Sequence, residues 1–264
     1  MIREFSLICM ATALGAASLL AQGPGRHPGG GPGDFAMVRA EFGISNKVVT
    51  GAPYSAQAVT QFTQTLANGD HIQRSTTASV ARDSQGRTRM DRSISNVGAL
   101  AASAGGHDRA IIIHDPVAGK SFALDPASHT AHSTPIPAAR TSAGSETADA
   151  RSARFQASLK TEDLGTQAIQ GVSAQGKRVT RVIPAGREGN EKEIDVVTET
   201  WYSPDLQVVV MSKTSDPRFG DSVYQLSSVS RTEPDPALFA VPSDYAVKEG
   251  RPFHGDHRGP AAAQ

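Results

Sequence analysis

The sequence predicts a mainly β protein, an antiparallel meander of roughly ten or eleven strands with little helix. Three observations lead there. Between residues 37 and 248 apolar and polar residues alternate with a period of two rather than 3.6. Residues suited to tight turns, such as Asn68-Gly69-Asp70, Asp83-Ser84-Gln85-Gly86, Gly171 and Ser203-Pro204-Asp205, punctuate those runs. The intervening segments are rich in Thr, Val and Ile, whose branched side chains suit a pleated surface.

The elements follow in chain order. Arg3, the apolar stretch Phe5 to Leu20 and then Ala21-Gln22 have the basic start, apolar middle and small-residue end of a secretory signal, placed at residues 1–21. The apolar stretch is shorter than the ~20 residues of a membrane span, so no stable span is expected after cleavage. Nine of the 25 glycines and 16 prolines crowd into Gly23 to Gly33, so residues 22–36 cannot bury a core. Ser55 to Leu66 and His71 to Arg82 form the clearest hairpin, and Arg87 to Ile94 follows with charges that suggest an edge or solvent-facing strand. Asn96 to Gly106 reads as a Gly-rich loop, and Ala110 to His114 pairs with Lys120 to Leu124. Residues 135–154 form a linker between halves 37–134 and 155–248, with a helical turn near Glu146 to Phe155. Strands resume at Ser158 to Gln170, Val172 to Ile183, Glu193 to Tyr202, Leu206 to Ser215 and Asp221 to Arg231. Asp235 caps a last turn opened by Pro236, and residues 249–264 form a Gly, Pro, Ala and His-rich tail.

Composition removes several functions. With 26 basic and 26 acidic residues the net charge is zero, so bulk attraction to nucleic acid is not expected. Cys9, the one cysteine, lies inside the signal segment, so the mature chain has no disulfide, thiol nucleophile or cysteine metal site. Hydrophobic residues make up 38 % and aromatic residues 5 %, which predicts a globular chain with a thin core.

Several motifs in the second half stand in one order: the Gly-turn hairpin Ile169 to Val182, then Glu199-Thr200-Trp201-Tyr202-Ser203-Pro204-Asp205-Leu206, then Asp216-Pro217, Glu233-Pro234-Asp235-Pro236, Leu238-Phe239 and Val241-Pro242. This pattern resembles the exported bacterial lipoprotein-sorting superfamily of LolA/LolB carriers and RseB-like sensor-regulators. It covers about Ser158 to Val247, with strand rhythm alone from Ser55 to Leu124. The resemblance implies that the meander curls into a half-open barrel over a few helices, and that its concave face holds a lipid or acyl chain. It also implies a periplasmic or extracellular location.

Residue chemistry adds candidates and exclusions. Trp201 and Tyr202 fall on opposite faces of their strand, Leu206, Val208 and Val210 share a face, and Ile112 lies in a strand buried on both sides. Phe239 pins the last turn to the sheet. These seven residues are the candidates for lining a groove, and core residues would have the same types. The His107-Asp108, His114-Asp115 and His254-Gly255-Asp256-His257 neighbours lack a visible scaffold for a metal, and His129 and His132, three apart in an extended segment, fall on opposite faces. No Gly-x-Ser-x-Gly elbow or phosphate-cradling glycine loop occurs, so no catalytic residue, metal or cofactor is assigned and no enzyme is expected. Two readings follow: a carrier of a lipid or lipoprotein-like apolar ligand, or an interaction or sensor module with a packed interior that meets a protein partner. An open apolar groove distinguishes the first from the second.

Overall fold

The computed structural model describes residues 48–93, 109–136 and 159–250. The expected signal segment, Gly/Pro tract, loop Asn96 to Gly106 and helical turn at 146–155, the linker beyond residue 136, and the tail beyond residue 250 lie outside the described residues. The strands are β1 (Tyr54–Thr65), β2 (His71–Arg82), β3 (Thr88–Ser93), β4 (Arg109–Asp115), β5 (Lys120–Asp125) and β6 (Thr130–Pro135). After them come β7 (Leu159–Ile169), β8 (Val172–Ile183), β9 (Ile194–Ser203), β10 (Val208–Asp216), β11 (Gly220–Ser230) and β12 (Ala246–Glu249). All twelve form one open sheet, not closed into a barrel, in the order β12-β6-β5-β4-β3-β2-β1-β11-β10-β9-β8-β7. Every pairing is antiparallel except that of β12, which runs parallel to β6.

Turn chemistry sets the hairpins. Gly69 takes φ +88° between β1 and β2, beside an Asn68 amide that donates to Asp70 Oδ2 at 2.7 Å. Gln170 and Gly171 both have positive φ, 50° and 78°, as the two-residue turn between β7 and β8 requires. β6 and β12 were not among the strands expected, which brings the count to twelve.

Side chains alternate across two faces, and the register carries each face from strand to strand. Ala56 lies opposite Val80, Val80 opposite Met90 and Met90 opposite Ile112, so these share one face. The other face carries Arg89 and Asp91 of β3, Ile111 and Ile113 of β4, and Leu124 and Ala131 of β5 and β6. The chain after β11 crosses this second face. A 3₁₀ turn, Pro236–Phe239, touches β3 and β4, and Asp235 caps it by accepting from Ala237 N at 2.9 Å. Val241 and Tyr245 then pack on Ile111, Ile113, Leu124 and Ala131.

This crossing corrects the reading of the charged third strand. β3 is an inner strand, between β2 and β4, rather than an edge. Its charges are neutralised locally: Arg89 donates to the Leu238 carbonyl at 3.0 Å, and Arg109 donates through Nε and Nη2 to the two oxygens of Asp91, each at 2.6 Å.

The larger core gathers at one end of the sheet. β1 is most buried from Tyr54 to Ala58 and β2 from Ala78 onward, while their far ends, around Thr65 and His71, are exposed. Two charged residues close the buried end. Arg82 donates from Nε and Nη2 to the Ala52 carbonyl at 3.0 and 2.7 Å, reaches the Leu206 carbonyl, and stacks 4.9 Å above the Tyr54 ring. Its neighbour Asp83 accepts from Gln85 N at 3.0 Å, Arg87 N at 2.8 Å and Arg87 Nε at 2.5 Å.

Because Asp83 is almost wholly enclosed, Asp83→Ala leaves two amides and a guanidinium unpaired. It is expected to lower the unfolding free energy by about 3 kcal/mol in urea titrations. A loss below about 1 kcal/mol counts against this turn as a fixed point of the fold.

Candidate functional site

The seven sequence candidates do not converge on one surface. Trp201, Leu206, Val208 and Val210 are brought together inside the larger core, with Ile169, Val172, Ala174 and Leu226 among their companions. Ile112 is half-buried on the face of Met90. Phe239 is buried elsewhere, with the Arg87 guanidinium 5.4 Å above its ring. Tyr202 is the exposed one, at 41 % against 7 % for its neighbour Trp201.

Trp201 owes its position to a residue that sequence reading did not single out. Gly176 lies directly opposite it across the β8–β9 pair. A β-carbon at Gly176 would sit 2.6 Å from two ring carbons of Trp201, so the indole lies flat against a stretch of strand with no side chain. A glycine inside a strand often marks close approach by another group, and that signal was present in the sequence. The indole Nε1 finds no hydrogen-bond partner among the described residues, so the ring is held by packing alone.

The opposite face of the same three strands carries a recess of about 730 Å³. β7 supplies Thr161, Asp163 and Thr166, β8 supplies Gln175 and Lys177, and β9 supplies Thr200 and Tyr202. The register explains the grouping: Gln175 is opposite both Thr166 and Tyr202, and Lys177 is opposite both Asp163 and Thr200. A bulge between Asp163 and Gly165 bends β7, with Gly165 at φ +75° and its amide donating to Asp163 Oδ1 at 2.7 Å. A second recess, of about 420 Å³, is lined by Gln57, Ser79, Arg89, Asp91, Arg109 and Leu238 among others. Among the described residues, no group of three His, Cys, Asp or Glu side chains is placed to hold a metal ion. No helix there is long and apolar enough to cross a membrane.

Burial shifts three titrating groups. The Tyr54 phenol is pushed up by burial, with Arg82 opposing, and burial lowers Arg82 against the pull of Tyr54 and Tyr202. Burial also lowers the His114 imidazole, whose Nδ1 finds no partner among the described residues.

No family model matches the sequence, and no curated protein matches it. Among solved structures, the fold is similar to a chain of the Pseudomonas aeruginosa MucA/MucB complex, at 11 % identity and a TM-score of 0.41, covering 75 % of this chain and 58 % of that one. The chain therefore spans a little over half of that relative. It is also similar to an uncharacterized conserved protein from Thermus thermophilus, at 10 % identity and 0.41, covering 83 % and 99 %. A LolA superfamily protein from Nitrosomonas europaea follows at 9 % and 0.31, covering 78 % and 97 %. The fold is thus similar to those of LolA-superfamily and MucB proteins; the ligands and partners of those proteins are theirs alone.

Gly176→Ala is expected to destabilise the protein by about 1–3 kcal/mol through overpacking, and to shift the emission of the sole tryptophan. Unchanged emission and stability would show that the indole does not rest on Gly176. For His114 the folded value lies below the unfolded one, so its contribution is complete above the ordinary value of about 6.5 and is lost as pH falls below it. His114→Gln is expected to flatten the rise of stability as pH climbs toward that ordinary value. Chemical denaturation at several pH values reads that slope.

Proposed function

We propose that the chain is an exported, non-enzymatic binding module whose apolar interior is filled by its own side chains and whose partner is met on the outer surface. The observation that carries this reading is the enclosure of Trp201, Leu206, Val208 and Val210. None of the four is more than 9 % exposed. An acyl carrier needs an open apolar groove with few polar groups. The two recesses described above instead interleave hydroxyls, amides and charges with apolar surface. In this reading Trp201 and its companions are core, and Tyr202 belongs to the contact surface.

Export rests on the basic, apolar and small-residue pattern of residues 1–21. A periplasmic or extracellular module of this kind serves as a receptor or sensor, with a ligand or protein partner docking on the sheet rather than entering it.

Native mass spectrometry and lipid extraction of the protein secreted by its own host test the reading. The bare polypeptide mass is expected after gentle release. Stoichiometric retained lipid would overturn the filled interior and reinstate Trp201, Leu206, Val208 and Val210 as the lining of a groove.

A further inference from the structure

We propose that the recess over β7, β8 and β9 is a binding site for a neutral glycan, with Tyr202 as its stacking platform. The inference rests on the reading of the chain as a module that binds on its outer surface.

Four features of the recess carry it. First, the side chains of Gln175, Lys177, Thr200 and Tyr202 make no hydrogen bond to the described residues, although they crowd the same few strand positions. Second, the other face of these strands is the reverse case. There Arg178 is consumed by two carboxylates, donating to Glu199 Oε1 at 3.0 and 2.8 Å and to Glu162 Oε2 at 2.7 Å. Third, the aromatic ring stands on β9, opposite Gln175 of β8, and so forms the side of the recess away from the β7 edge. Fourth, the charged lining consists of one ammonium, Lys177, and one carboxylate, Asp163, which cancel.

The ligand must therefore offer many donors and acceptors, no net charge, and an apolar flank for the phenol ring. A pyranose meets all three, since its axial C–H face stacks on an aromatic ring while its hydroxyls serve Gln175, Thr200, Lys177 and Asp163. An acyl chain would strip water from these polar groups without satisfying their hydrogen bonds. A polyanion would meet no net positive charge. An extended peptide docks along a sheet edge through its backbone, whereas this recess lies across strand faces and offers side chains.

The test is ¹⁵N chemical-shift titration of the full secreted chain. The probes are a β-1,4-linked N-acetylglucosamine tetrasaccharide, cellotetraose and an uncharged polar decapeptide. One of the saccharides is expected to shift amides of β7 to β9 saturably. Tyr202→Ala should then weaken binding by about tenfold or more, while Tyr202→Phe, which keeps the ring, stays within about threefold. Gln175→Ala, with its side chain free of internal bonds, should weaken binding without altering the urea midpoint.

The proposal is overturned by the absence of shifts with both saccharides up to about 10 mM, the weak end of specific recognition. Shifts confined to other strands, equal affinity in Tyr202→Ala, or a response to the decapeptide alone also overturn it. The filled-interior reading stands or falls separately. Retained lipid would contradict it and leave the titration unchanged, and a silent titration would leave a lipid-free mass unchanged.

Discussion

The pairing of β1 with β11 holds the molecule together. Each half of the chain makes a meander of sequential hairpins, and the β1–β11 ladder merges the two meanders into one sheet, to whose far edge β12 returns beside β6. Eight residue pairs, from Ser55 opposite Ser230 to Thr63 opposite Asp221, span the seam. A hydroxyl bond reinforces it: Ser227 Oγ donates to the Gln57 carbonyl at 3.3 Å. The entropy of closing so long a loop grows only with the logarithm of its length, so the seam is affordable at equilibrium. Its contacts are non-local, however, and so they form late in folding. The core is built over this seam, with Tyr54, Ala56 and Ala58 from one side and Tyr224 and Leu226 from the other.

Among the described residues the sheet has no α-helix beside it, and both of its faces must still be covered. The structure solves this differently at its two regions. The second face of β3 to β6 is covered by the chain that follows β11, through Phe239, Val241 and Tyr245. That segment is fastened by polar contacts: Ser84 N and Oγ donate to Glu233 Oε1 at 3.0 and 3.1 Å, and His129 Nδ1 lies 2.7 Å from Asp244 Oδ2. Elsewhere the larger core depends on Arg82, which binds the carbonyls of Ala52 and Leu206 and so draws the approach to β1 and the β9–β10 turn onto the end of β2. The guanidinium resolves its burial with carbonyl oxygens and the Tyr54 ring, without a carboxylate partner among the described residues.

Much of this plan could be read in the sequence because local chemistry decides it. The spans expected for the second and eighth strands coincide with β2 and β8, since turn residues able to take positive φ stand at their starts. β12 left no such trace: its four residues are all exposed, and it joins the sheet through its backbone, which no pattern of side chains encodes. β3 was misplaced for a related reason. Its charges imply water if only neighbouring residues are considered, but their partners, Arg109 and the Leu238 carbonyl, lie far along the chain. In the candidate site, the opposed faces of Trp201 and Tyr202 follow from period-two alternation. The recess does not, because it depends on a bulge at Asp163 to Gly165 and on a three-strand register that only the fold supplies.

The two sides of β7 to β9 are linked by one constraint. Trp201 can lie flat against the sheet only because Gly176 has no side chain, and that arrangement puts the aromatic ring in the larger core. Since successive residues of a strand point to opposite faces, fixing Trp201 inward fixes Tyr202 outward. Burying the one aromatic therefore exposes the other, in register with Gln175 and two strands away from the bulged edge. A side chain at position 176 would disturb both faces together: it would displace the indole from the core and, through the shared backbone of β9, tilt the phenol in the recess. The buried indole and the exposed phenol are thus two results of one glycine opposite one tryptophan.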